Sequence, residues 1–168
     1  MLKVTEMPFA SASAFESSIP GKQAGAVLLE ALVAILVFSF GVLAIVGLQA
    51  SSIKSSSDAK YRADAAFLAN QILGMMWADA RANLSSYAHR SSGANCNFNG
   101  GSGNANVISW LGTAADPGTV VGSLPGATTD NQQITVDAAT GLVTVTICWR
   151  MPQSPAPHSY TTTARING

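Results

Sequence analysis

Gly25-Ala26-Val27-Leu28-Leu29-Glu30, followed by Ala31-Leu32-Val33-Ala34-Ile35-Leu36-Val37-Phe38, is the stretch that decides how this chain is built. From Ala26 to Leu48 nearly every side chain is apolar or small, and only Glu30 and Ser39 are polar. As a helix this run extends about 34 Å at about 1.5 Å per residue, enough to cross the hydrocarbon core of a bilayer. A carboxylate inside such a run costs about 2.5–3.5 kcal/mol at the helix centre and less toward an end. An ionisable group at that cost is a functional hypothesis by default, and its partner has to be found.

The 168 residues allow one membrane helix and one modest domain. Charged residues make up only 11% and the formal net charge is zero, so no basic patch points to nucleic acid and no acidic tail to a solvating segment. The part after residue 50 is rich in Ser, Thr, Asn, Gly and Ala, a composition that suits an exported, weakly charged surface.

Three readings of the apolar run compete. A secretory signal peptide would carry an apolar core of about 7–15 residues, shorter than this one, and has no use for Glu30. Its cut would fall near Gln49-Ala50-Ser51. An uncleaved anchor fits the length but also leaves Glu30 unexplained. Lys3 and Lys22 before the run and Lys54, Lys60 and Arg62 after it do not decide its orientation. In the third reading a leader is cut at Gly25, so that Glu30 becomes the fifth residue of a chain starting at the α-amine of Ala26. That ammonium, on the same helix or on a neighbouring copy, supplies the missing partner. The helix dipole adds about 0.3–1 kcal/mol for a carboxylate in the first turn.

Gly25 followed by Ala-Val-Leu-Leu-Glu30 and a long apolar helix resembles the class III leader of the type IV prepilin family. The resemblance implies a pilin-like α+β fold, in which one long N-terminal helix, its first half transmembrane, packs on a small antiparallel sheet. It implies cleavage after Gly25 by a prepilin peptidase, N-methylation of Ala26, and Glu30 as the assembly carboxylate. It places the chain in the inner membrane with its N-terminus cytoplasmic and its head periplasmic, and later in a surface pilus. Partners would be other minor and major pilins through helix packing, the inner-membrane assembly platform and a tip adhesin, with no direct nucleic-acid contact. Two departures stand out. Ala26 occupies the place where major pilins usually carry Phe, and the leader is long, with Glu6 and Glu16 balancing its lysines unless Met7 is the start.

The expected division is a leader over 1–25, a membrane or filament-core helix over 26–50, an amphipathic second half of that helix over 51–90, and a globular head over 91–168. Tyr61, Ala65, Leu68, Ile72, Met75 or Met76, Ala80, Leu84 and Tyr87 recur at steps of three and four, which predicts one buried helical face running to Tyr87. Ser51 to Ser57 is a weak helix-forming run and a site for fraying or bending. Leu68-Ala69 followed by Arg81-Ala82-Asn83, then Trp110, Leu124-Pro125-Gly126 and a strand ending in Cys148-Trp149, is similar to the PilV-type minor pilins.

Cys96 and Cys148 both follow the membrane run. In a translocated domain the pair reads as a disulfide, and in the cytosol as two reduced thiols. Ser91 to Gly103, rich in Gly, Ser and Asn, reads as a loop. Trp110-Leu111 opens a short helix or plugs the edge of the core. Ile134-Thr135-Val136, a connection over Asp137 to Gly141, and Leu142 to Trp149 read as a hairpin. Val143, Val145, Ile147 and Trp149 share one face toward the helix, while Leu142, Thr144, Thr146 and Cys148 share the outer one. Pro152, Pro155 and Pro157 make a stiff connector to a last strand over Ser159 to Ile166, giving three or four strands in all.

No catalytic constellation is legible. His89 and His158 read as surface histidines, and Asp116, Asp130 and Asp137 as turn caps, since their spacing matches no calcium loop. No metal and no cofactor is expected. The chain reads as a structural minor pilin that enters or primes a type IV pilus, rather than an enzyme. The alternative is a minor pseudopilin of a type II secretion system.

Overall fold

The computed structural model describes residues 24–152 and 154–166. Nearly all of the expected leader, with Lys3, Glu6, Met7, Glu16 and Lys22, lies outside the described residues. The chain separates into two units, Met1–Ala50 and Ser51–Gly168.

In the first unit the described residues belong to one helix, α1 (Ala24–Ala78). Its large apolar side chains from Val27 to Leu48 are between 44% and 72% exposed. Its most apolar window has a mean hydropathy of 2.8 and none of it is buried, so by length and composition it can cross a membrane. Burying such a surface from water is worth about 25 cal/mol per Å² of apolar area, so a helix of this kind needs lipid or protein around it.

In the second unit α1 continues without interruption through Ser51–Ser57, where fraying or bending was expected. Its buried face is Ala65, Leu68, Ala69, Ile72, Leu73 and Met76, the predicted stripe widened by its i+1 neighbours. The helix stops at Ala78 rather than running to Tyr87. The Asp79 carboxylate accepts the Ala80 amide at 2.7 Å and the Asn83 side chain at 2.9 Å, and Ala80 is extended with ψ 135°. A 3-10 helix over Arg81–Tyr87 follows. Leu84 and Tyr87 are still buried, while Ala80 is exposed.

The main sheet is antiparallel in the order β3 (Gln133–Asp137), β4 (Leu142–Trp149), β5 (His158–Arg165). Val143, Val145, Ile147 and Trp149 are buried in one core with the α1 stripe, as the alternation predicts. On the opposite face Thr144 pairs with Thr163 at 3.1 Å and Thr146 with Thr161 at 3.2 Å, cross-strand contacts that stiffen the solvent side. The β3–β4 connection turns on Gly141 at φ 70°, with Asp137 accepting from the amides of Ala139 and Thr140.

Two elements depart from expectation. The Ser91–Gly103 loop contains a hairpin, β1 (Ser92–Ala94) with β2 (Asn97–Asn99). Asn95 (φ 56°) and Cys96 (φ 61°) form its two-residue turn, the left-handed geometry that matches hairpin twist. Trp110-Leu111 closes rather than opens a helix: α2 (Ala105–Leu111) starts at Asn104, whose side chain accepts from Asn106 and Val107 at 2.9 and 3.3 Å. Trp110 then enters the core and donates to the Leu68 carbonyl at 2.8 Å. A short helix, α3 (Val120–Ser123), covers the core edge with Val120.

Candidate functional site

Gly25, Ala26 and Glu30 lie near the start of α1 as described, all with exposed side chains or surfaces. The two polar groups of the apolar run differ in what satisfies them. Ser39 Oγ donates to the Ile35 carbonyl at 2.7 Å, so its hydroxyl is satisfied inside the helix. A carboxylate can only accept, and backbone N–H groups in a helix interior are already used. Among the described residues Glu30 has no ion-pair partner. In an apolar surrounding Glu30 therefore needs a donor from outside the described helix. That requirement, rather than any pocket, is the chemical character of this segment.

The head holds the cysteine pair. Cys96 and Cys148 are joined in a disulfide, their Cα atoms 5.9 Å apart. Cys148 belongs to the outer face of β4 by alternation, but it is fully buried, because the bond draws the β1–β2 turn over it. Beneath the same bond, the fully buried Gln132 reads the Cys148 backbone from both sides. Its Oε1 accepts the Cys148 amide at 2.9 Å and its Nε2 donates to the Cys148 carbonyl at 3.0 Å. One side-chain amide thus replaces a strand neighbour. Sequence gives no sign of it, since Gln132 sits in a polar turn beside Asn131.

The two histidines are not plain surface residues. His89 is buried at 5% exposure: its backbone forms a bridge with Ile134, and its Nε2 donates to the Thr129 carbonyl at 3.0 Å. The bridge pulls it under the sheet edge despite its polar neighbours. His158 is half-buried, stacked on Trp149 at 5.8 Å, with Nδ1 3.3 Å from Asp58 Oδ1 and Nε2 3.1 Å from Ser154 Oγ. Serine, histidine and carboxylate thus meet from two segments, Ser154 and His158 from one stretch and Asp58 from α1. The Ser154 proton is directed to the Ala156 carbonyl at 2.8 Å, so Nε2 donates to Oγ instead of accepting from it. That is the reverse of a base activating a nucleophile. The cluster fastens the proline-rich connector and β5 to α1.

Asp116 and Asp137 are turn caps as expected. Asp116 accepts from the Thr113 amide and hydroxyl, and Asp137 from the Thr140 hydroxyl at 2.7 Å. These bonds, each led by the threonine hydroxyl, hold both carboxyls below their ordinary range. Asp130 is instead paired with Arg90. Arg90 also donates to the Phe98 carbonyl at 3.0 Å, and the pair thereby fastens the β1–β2 hairpin. No group of three or more His, Cys, Asp or Glu able to hold a metal ion occurs among the described residues.

No family model, curated protein or solved structure matches this chain.

Proposed function

We propose that this chain is a minor pilin of PilV type, a structural subunit that enters or primes a type IV pilus. The observation that carries the reading is Glu30, the one carboxylate in the apolar, exposed stretch from Ala26 to Leu48, five residues after Gly25 and without an ion-pair partner among the described residues. A prepilin peptidase cuts after Gly25, and the new α-amine at Ala26 becomes N-methylated. In the bilayer and then in the filament, the apolar helices bundle with those of other minor and major pilins. Glu30 is tolerable in that bundle only when it meets an N-terminal ammonium. An unpaired carboxylate costs several kcal/mol on desolvation, so mismatched axial registers are disfavoured as well as matched ones favoured. The disulfide-closed head is the part presented outside the membrane, and its role is architectural.

Intact mass and N-terminal sequence, measured on the protein from its native membrane and from sheared surface filaments, test this. The expected product is the chain from methylated Ala26 to Gly168 in both fractions. The same product confined to membrane and periplasm would favour a type II secretion pseudopilin. A start at Met1, or a cut near Ala50, would overturn the reading.

A further inference from the structure

Beside the disulfide, the head carries a cavity of about 470 Å³, within the range of small-ligand sites. It is lined by Asn95 of the β1–β2 turn, Asn97 at the start of β2, Arg150, and the apolar Met151, Pro152 and Pro157. Among the described residues no carboxylate lines it. Asn131 also borders the space, but its amide is engaged with Thr128 and Gly126.

Three features set this cavity apart from an ordinary surface dent. Asn95 and Cys96 both hold positive φ, a conformation that costs non-glycine residues free energy and persists where the surroundings impose it. Here both belong to the two-residue hairpin turn, which the disulfide ties to β4. The side chains of Asn95, Asn97 and Arg150 make no hydrogen bond or ion pair among the described residues, so their donors and acceptors are available at once. The Arg150 backbone, by contrast, is fixed, its amide donating to the Pro125 carbonyl at 2.9 Å.

We infer that this cavity binds a hexuronate unit of an acidic polysaccharide. A primary amide donates and accepts at once, which matches a pair of adjacent ring hydroxyls, and two amides at one rim give two such contacts. A guanidinium recognises a carboxylate through two parallel hydrogen bonds. A wall of proline and methionine accepts the C–H face of a pyranose ring. The three chemistries occur together on one ligand class, a sugar ring that bears a carboxylate. The inference does not depend on the helix entering a filament.

The test is calorimetric titration of the full chain in detergent micelles with galacturonic acid trimer, and with galactose trimer as the neutral counterpart. Expected is saturable binding of the acidic trimer, at least about tenfold tighter than the neutral one, since a charge-assisted pair is lost with the carboxylate. Arg150→Gln removes that preference, and Asn97→Asp, which sets a like charge beside the ligand, weakens binding by about tenfold or more. Both positions are exposed, and an unchanged melting temperature checks that each variant is folded. Absence of binding at millimolar trimer, equal affinity for the neutral trimer, or undiminished binding by folded Arg150→Gln would overturn the inference. So would an acetylated tripeptide with a free carboxylate that binds as tightly as the uronate, because the cavity would then read a peptide end.

Discussion

Opening the Cys96–Cys148 bond, by reduction or by the double substitution Cys96→Ala with Cys148→Ala, destabilises the head by about 3–4 kcal/mol. The two cysteines are 52 residues apart in sequence. Closing a loop of that length in the unfolded chain is worth about 4 kcal/mol at 25 °C in the chain-entropy treatment. Residual structure in the reduced, unfolded chain takes back part of this and sets the lower figure. At about 2.1 cal/mol/K per residue, the unit Ser51–Gly168 unfolds with an entropy of about 0.25 kcal/mol/K. The expected fall in Tm is therefore about 12–16 °C. Near-ultraviolet circular dichroism of the full chain in detergent is the suitable assay. Trp110 and Trp149 are buried in the head, so their signal reports its packing whatever the apolar helix does. Oxidised and reduced protein melting within about 3 °C of each other would refute the argument that this bond constrains the unfolded chain.

On the proposed pilin reading, Glu30→Val, which removes the charge and keeps an apolar surface, leaves the chain in the membrane and lowers its content in sheared filaments severalfold. Wild-type content measured by quantitative immunoblot would count against the pairing role. Trp110→Phe leaves the Leu68 carbonyl without its indole donor and opens a small void, costing about 1–3 kcal/mol in a urea unfolding curve. Asp79 is held below its ordinary value of 3.8 by hydrogen bonds from Asn83, then Tyr87, then the Ala80 amide. A lowered folded-state value means stability present above about pH 4 and lost as pH falls through that lowered value, so Asp79→Asn should flatten the acid limb of a stability–pH curve. An acid limb identical to wild type would exclude that contribution. Burial pushes the Tyr87 phenol above its ordinary 10.0, so its contribution is present below pH 10 and is lost as pH rises through the raised value. Ultraviolet titration resolves this as a tyrosine ionising above that ordinary value, and its loss from the Tyr87→Phe titration curve checks the assignment.

Much of this architecture is written in local pattern. An apolar run of this length admits few structures, because a helix satisfies its own backbone in lipid while other conformations do not. Strict alternation from Leu142 to Trp149 fixes which face of β4 is buried, since a slip of one residue would turn Val143, Val145 and Ile147 to water. The steps of three and four from Tyr61 to Met76 fix the helix face for the same reason. The glycine and the carboxylate five residues later are equally plain in the one-dimensional text. Two cysteines after the apolar run admit a bond, and the fold realises it.

What the sequence leaves open belongs to contacts between distant segments. The helix ends at Ala78 because Asp79 gathers an amide and two side chains up to Tyr87. The apolar spacing continues past that point and hides the stop. The β1–β2 hairpin has strands of only three residues each, too short for any period to register, and it holds through Cys148, Arg90 and the burial of Phe98. Gln132, His89 and His158 have polar neighbours in sequence. Their surroundings come from Cys148, Thr129, Asp58 and Ser154, each supplied by a different segment. Composition and period thus determined the elements and their inward faces, because burial acts on each segment alone. Only the tertiary structure decided where the helix stops, which polar groups go inside and what lines the cavity at Arg150, because hydrogen bonds and ion pairs need both partners in place.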